Sequence, residues 1–252
     1  MTASRKRLIF ILSLVTLLFV AGTSHAQDPG HDQSLRGKLS QAIEIASQNQ
    51  LQIISINATP LGTIYEVELN TGEILYSDIA GDYLFAGDMY KTSHEGLLNL
   101  SMSKRQRRNL EKIAAVPEDE MIIFSPEETK VSIAVFTDVD CTYCRKLHSD
   151  LDELLSKGIE IRYLAYPRGG ENAASFPKML SVWCSDDRKK SLTRAKNGQN
   201  LPERSCEAPL LAHHALGNEL GITGTPALIF PDGRLVPGYM DAAKLVEMLN
   251  ID

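Results

Sequence analysis

Residues 131–148 read VSIAVFTDVDCTYCRKLH. The first six, apolar but for Ser132, have the pattern of a central strand covered on both faces. A short acidic turn ends the run, and Cys141 and Cys144 follow at the start of a segment with helical spacing. A strand that delivers two cysteines to a helix N-terminus is the layout of a dithiol redox site, because unpaired N–H groups and the helix dipole favour a thiolate there. On that reading Cys141 is the nucleophile. Cys144, nearly one turn further in, is the resolving thiol, and Thr142 and Tyr143 between them tune the electrostatics of the helix end.

Working outward, the segments alternate. A helix is predicted from about Cys141 to Ser156, closed by the basic Lys157 and a C-cap Gly158. Ile159, Ile161, Tyr163 and Ala165 then alternate along a second strand, which makes a right-handed βαβ unit with a parallel pair. Residues of about 171–220 carry helical signals only and read as a helical insertion. Ala227–Phe230 is a third strand, Pro231-Asp232-Gly233-Arg234 a turn, and Leu235-Val236 its antiparallel partner. Asp241 caps a last helix with Leu245, Val246 and Leu249 on one face. This βαβ–ββα order with Cys-x-x-Cys after the first strand is that of the thioredoxin fold. Thr225-Pro226 stands where that fold places a cis-proline opposite the dithiol, so these two residues are expected to form the active-site wall.

Upstream, the chain has a different texture. Arg5-Lys6-Arg7, the apolar stretch Leu8–Gly22 and the small-x-small Ser24-His25-Ala26 make a cleavable signal peptide over residues 1–26; about 15 apolar residues are too few for a comfortable membrane span. Export places all four cysteines in an oxidising compartment. Residues 27–93 read as a small domain. After a polar lead over 27–33, Leu35, Leu39, Ala42, Ile43 and Ala46 recur at helical spacing, and strands follow near 51–56, 63–69, 73–77 and 83–86. So small a sheet has exposed edges, and pairing with a second copy removes that liability, which predicts a homodimer. Residues 94–117 read as a linker helix with Leu97, Leu98, Leu110 and Ile113 on its apolar side. The basic stretch Lys104–Arg108 within it is expected to be a solvated face. The remainder, 118–252, is the catalytic domain. The fold class is therefore α+β in the N-terminal unit and α/β in the C-terminal one.

Charge narrows the partners. The formal net charge is −6, and removal of residues 1–26, which hold three basic residues and no acid, leaves 23 basic against 32 acidic residues. Such a chain repels phosphate backbones, so nucleic acid is not an expected partner. A metal reading of Cys141 and Cys144 needs Cys184, Cys206 or the histidines to complete a tetrahedral set. Cys184 and Cys206 are separated by 21 residues and His213 and His214 are adjacent, so no metal or other cofactor is expected. A purely structural Cys141–Cys144 bridge remains an alternative. Cys184 and Cys206 flank a polar loop and read as a structural disulfide worth roughly 3 kcal/mol in the chain-entropy model, with a second redox centre as the alternative. His148 reads as a helix-surface histidine, and His213 and His214 as partly exposed.

The motifs together are specific. Val135-Phe136-Thr137-Asp138, Cys141-Thr142-Tyr143-Cys144, Lys146-Leu147-His148, Arg162–Arg168, Trp183-Cys184, Ala215-Leu216-Gly217, Gly224-Thr225-Pro226-Ala227 and Leu235–Tyr239 resemble the DsbC/DsbG family of periplasmic thiol:disulfide interchange proteins. The resemblance implies a V-shaped homodimer joined through its N-terminal domains. It implies isomerisation of wrong disulfides in misoxidised exported proteins, with a DsbD-like membrane thiol reductase as electron donor. Carried over, Cys141 attacks, Cys144 resolves, Pro226 is the cis-proline and Cys184–Cys206 is the structural bridge. The chain departs from the family at Thr142-Tyr143, where the isomerase branch has Gly-Tyr and the DsbG branch Pro-Tyr. It also has Val135 where thioredoxin keeps a buried acid, so deprotonation of Cys144 needs another route. A net oxidant and a holdase chaperone are the competing functions.

Overall fold

The computed structural model describes residues 29–251, so the expected signal peptide lies outside the described residues. Helix α1 (Pro29–Ala46) begins within the segment predicted as a polar lead. It lays Leu35, Leu39 and Ile43 on Tyr65, Val67 and Leu69 of the sheet beside it. That sheet runs β1 (Ile53–Ala58), β2 (Ile64–Leu69), β3 (Ile74–Asp78), β4 (Leu84–Ala86) in spatial as in chain order, antiparallel throughout. The alternation of Tyr65, Val67 and Leu69 with Glu66 and Glu68 buries the apolar face under α1.

The predicted linker helix starts late. Residues 90–99 form a hairpin of β5 (Tyr90–Ser93) and β6 (Gly96–Asn99), and helix α2 covers only Leu100–Ala114. Gly96 at φ +120° is outside helical backbone space, and Asn99 supplies the true cap by accepting the Met102 N–H at 2.8 Å. Leu97 and Leu98 therefore stand on a strand, 70% and 52% exposed, rather than on the apolar side of a helix. The basic stretch is also not a solvated face. Lys104 bonds Glu66 and lies 3.4 Å from Glu68, Arg108 bonds Glu68 and the Gly72 carbonyl at 3.0 Å each, and Arg105 meets Asp88 at 2.7 Å. The polar edge of β2 attracts the basic side of α2, and both are partly dried.

The C-terminal sheet has the order β11-β10-β8-β9-β7. Its centre is β8 (Val131–Thr137), parallel to β9 (Ile159–Ala165) and antiparallel to β10 (Ala227–Ile229). β11 (Leu235–Pro237) pairs with β10, and β7 (Ile122–Phe124) adds an antiparallel edge to β9. β8 divides its side chains between two cores: Ile133 and Val135 on one face, Ala134 and Phe136 on the other. The predicted helix after it is two, α3 (Thr142–Ser149) and α4 (Leu151–Ser156), broken at Asp150. There the carboxylate accepts the Tyr239 hydroxyl at 2.7 Å. The insertion contains α5 (Phe176–Trp183), α6 (Arg188–Lys196) and α7 (Leu210–Glu219), and α8 (Ala242–Leu249) closes the chain behind its Asp241 cap. Thus the stretch between Cys184 and Cys206, expected to be a loop, holds α6.

Helix α2 is seated against this second sheet. Asn109 donates to the Gly233 carbonyl at 2.9 Å, and Lys112 meets Glu219 at 2.8 Å. Gly233 (φ +80°) lies so close that a Cβ there would come within 2.1 Å of the Gln106 carbonyl oxygen. Only glycine fits that approach. Among the described residues no helix is long and apolar enough to cross a membrane.

Candidate active site: a dithiol at a helix N-terminus

The last residues of β8 lead through a turn pinned by Asp138. Its carboxylate, almost fully buried, accepts the Asp140 N–H at 2.8 Å and both N–H and Nε–H of Arg168 at 3.2 Å. The turn sets Cys141 at the N-cap of α3, with extended backbone (φ −82°, ψ 121°), and Cys144 one turn in. Both thiols are free. Cys141 retains 4% exposure and Cys144 none, in the order that their places on the helix predict.

Opposite them, Thr225-Pro226 is a cis peptide at the head of β10. The Thr225 carbonyl lies 3.2 Å from Cys141 Sγ. Its hydroxyl is buried without another partner among the described residues. Thr142 and Tyr143 face outward; Tyr143 stacks on Tyr239 with ring centroids 6.4 Å apart, and Lys146 Nζ sits 4.5 Å over the Tyr239 ring. Exposed Tyr143 and half-buried Tyr239 thus form an aromatic pair on the helix that carries the dithiol and the segment beside it.

The surroundings drive the two thiols apart. A hydrogen bond from Cys144 is the largest influence on Cys141, and with Thr225 and the N–H groups of Tyr143 and Cys144 it outweighs burial and brings the thiol down to about 5. Burial pushes Cys144 well up, the neighbouring Cys141 adds to it, and Lys196, a backbone bond at Asp138 and the Thr137 hydroxyl oppose the rise. At neutral pH the site therefore holds one thiolate and one thiol, and the thiolate is the attacking species of thiol–disulfide exchange.

The second cysteine pair is joined: Cys184 and Cys206 form a disulfide with Cα atoms 5.6 Å apart. It ties the end of α5 to the segment before α7 and brackets α6.

Of His148, His213 and His214, the first two depart from expectation, while His214 is partly exposed as read. His148 is not a surface residue: it is buried, with Nδ1 3.1 Å from the Tyr163 hydroxyl and Nε2 3.0 Å from Thr193 Oγ1, and burial, helped by Lys196, lowers it to about 4. His213 is likewise buried under β9, where Nδ1 accepts the Ala165 N–H at 3.2 Å and burial lowers it to about 4. His214, half-buried, stacks on Tyr166 at 4.7 Å. Among the described residues no group of three or more His, Cys, Asp or Glu could hold a metal ion.

Two family models match this chain. Residues 23–102 match the disulfide bond isomerase protein N-terminal domain, and residues 117–251 match a thioredoxin-like domain. The thiol:disulfide interchange protein DsbC of Dickeya dadantii is 32% identical over 245 residues, which cover 97% of this chain and 95% of the relative. The chain belongs to the DsbC family. It is thereby one of the thiol–disulfide oxidoreductases. The DsbC of Escherichia coli K12 is 34% identical over 218 residues, covering 84% of this chain and 89% of the relative. A solved disulfide interchange protein from Neisseria gonorrhoeae is 27% identical, covers 54% of this chain and 96% of its own, and superposes with a TM-score of 0.49.

One residue in the DsbC-like site escaped the sequence reading. Lys196, the last residue of α6, is 3% exposed, and its Nζ reaches Thr137 Oγ1 at 2.5 Å and the Asp138 carbonyl at 3.0 Å. A signal existed: Lys196 falls four residues after Leu192 and beside Ala195, on the buried face of α6. Five cationic residues in nine obscured it, because such a run reads as a wet helix.

Proposed function

We propose that the chain is a periplasmic protein disulfide isomerase and reductase that rearranges wrong disulfides in exported proteins through a mixed disulfide at Cys141. The Cys141 thiolate attacks one sulfur of a substrate disulfide; a Cys141–substrate bond forms as the substrate bond breaks, and the released substrate sulfur leaves with the electron pair. That thiolate can then attack elsewhere in the substrate and free Cys141, which is isomerisation without net electron transfer. Alternatively Cys144 attacks Cys141 Sγ, releases a reduced substrate and leaves a Cys141–Cys144 disulfide for a membrane thiol reductase to reopen. The observation that carries the reading is the opposed state of the two thiols: an ionised Cys141 at the helix start and a protonated Cys144 behind it. In these roles Thr225 and Pro226 wall the site, Thr142 and Tyr143 tune it and bear the peptide, and the Cys184–Cys206 bridge is structural.

The rest of the chain serves the same end. Residues 1–26 direct export and are removed, the N-terminal domain joins two copies, α2 links it to the catalytic domain of 118–252, and the paired sites hold a misfolded chain during exchange. Support for pairing comes from the apolar side chains that the N-terminal domain leaves in solvent, among them Tyr83, Phe85, Leu97 and Leu98. Refolding of a scrambled multi-disulfide substrate tests the reaction. The reduced protein restores substrate activity and the Cys141→Ser variant does not; equal yields from both would remove the dithiol mechanism. A net oxidant is the competing reading, and trapping in cell extract separates them: mostly reduced Cys141 and Cys144 means isomerase, mostly oxidised means oxidant.

A further inference from the structure

Resolution of the mixed disulfide requires a thiolate at Cys144, yet the thiol is fully buried and its surroundings hold the proton on it. Val135 offers no carboxylate to take that proton. Of the buried ionisable groups beside the thiol, the Asp138 carboxylate is engaged by Arg168 and the Asp140 N–H, and His148 by Tyr163 and Thr193, which leaves Lys196. Among the described residues it makes no ion pair: its two bonds go to Thr137 Oγ1 and the Asp138 carbonyl, while the Asp138 carboxylate is turned to Arg168 and Asp140. A lysine buried without a carboxylate is costly, and such sites belong more often to function than to stability. Thr137 Oγ1 accepts from Lys196 Nζ, and the same hydroxyl eases Cys144 toward its thiolate, so Thr137 stands between the amine and the thiol.

We propose that Lys196 is the proton acceptor for the resolving thiol, reached through the Thr137 hydroxyl. The inference rests on the assignment of Cys144 as the resolving residue. In the step, the Cys144 proton passes to Thr137 Oγ1 as the hydroxyl's own proton passes to the neutral amine of Lys196. The freed electron pair on Cys144 forms the bond to Cys141 Sγ, the Cys141–substrate bond breaks, and the substrate departs as a thiolate. The enzyme is oxidised by two electrons and the substrate reduced by two. When a reductant reopens the Cys141–Cys144 disulfide, the Lys196 ammonium returns the proton to Cys144. Hydroxyl protons rotate freely, so one threonine serves both directions.

The environment suits an amine that changes charge near neutrality. Burial lowers Lys196 to about 8. Around it stand Cys144, Arg145 and His148 of α3, Cys141 and Asp138 of the preceding turn, and Tyr163 of β9 with its ring 6.0 Å away. His148 is neutral above about 4, and burial keeps Tyr163 protonated. The Cys141 thiolate supports the ammonium in the resting enzyme. In the mixed disulfide that negative charge is gone, which favours the neutral amine at the step that needs a base.

Rapid mixing of the reduced protein with a peptide disulfide, quenched with acid, follows mixed-disulfide formation and its resolution separately across pH. Lys196→Met and Thr137→Val are compared with the wild type, each shown to be folded by its urea transition. Both variants should form the mixed disulfide within about two-fold of the wild-type rate, and resolve it slower by on the order of 100-fold at pH 7, the range of a lost general base. Their resolution profiles should move to higher pH. A side chain that only packed would change neither profile. Wild-type resolution rates with an unshifted profile in either folded variant overturn the proposal. Absence of any mixed disulfide at wild-type Cys141 overturns the functional reading instead, at a step that precedes Lys196.

Discussion

At neutral pH Cys141 carries a thiolate while Cys144, three residues away, keeps its proton. Alkylation of the reduced protein at Cys141 should therefore be half-maximal near pH 5, the value set by the bond from Cys144, against about 8.5 for an ordinary cysteine. A midpoint above pH 7 would contradict the geometry. The buried histidines act on stability. His148 and His213 sit near 4 in the folded chain and near 6.5 when unfolded, so between those values the unfolded state binds more protons. Their contribution is complete above pH 6.5 and is lost as pH falls toward 4. Urea midpoints compared at pH 7 and pH 4.5 should fall less on acidification in a His148→Gln, His213→Gln variant than in the wild type. At this scale the cysteines and Thr225-Pro226 were legible because each lies at a strand or helix boundary that local sequence marks. The histidines and Lys196 were not, since their burial is decided by β9 and the turn after β8, more than ten residues away in sequence.

Among the elements, α6 depends most on its neighbours. It is short and strongly cationic, a poor helix in isolation. The Cys184–Cys206 bridge brackets it and so positions Lys196. Replacing both cysteines by serine should lower stability by about 3 kcal/mol for a loop of this length, read from urea unfolding. The same change should slow substrate release more than substrate capture; unchanged stability would show that α6 docks without its clasp. β8 and β9 could both be read directly, β8 from its apolar run and β9 from its alternation, although β9 is buried on both faces because Glu160 pairs with Arg162 there. Three-residue β7 has no period to read, and nothing local in the sequence marks the break at Asp150.

For the whole molecule, the question is what covers the N-terminal hairpin. Leu97 and Leu98 are exposed as parts of β6, a strand the helical pattern had concealed, and Tyr90 and Phe85 are exposed nearby. Large apolar side chains gathered on one small domain favour association. Sedimentation of the mature protein at micromolar concentration should give a dimer, and Leu97→Lys with Leu98→Lys should give a monomer that retains peptide-level exchange at Cys141 but loses isomerase yield on a folded-protein substrate. A monomeric wild type would count against the paired-site architecture.

The clasp around α6 has one more property. Cys206 is open to solvent and Cys184 only half covered. A solvent-open disulfide is chemically available to any thiolate of low pKa, and every molecule of this protein carries such a thiolate at Cys141. Each copy is thus a potential client of its neighbours. The protein displays, on its own surface, a bond of the kind that a thiolate attacks.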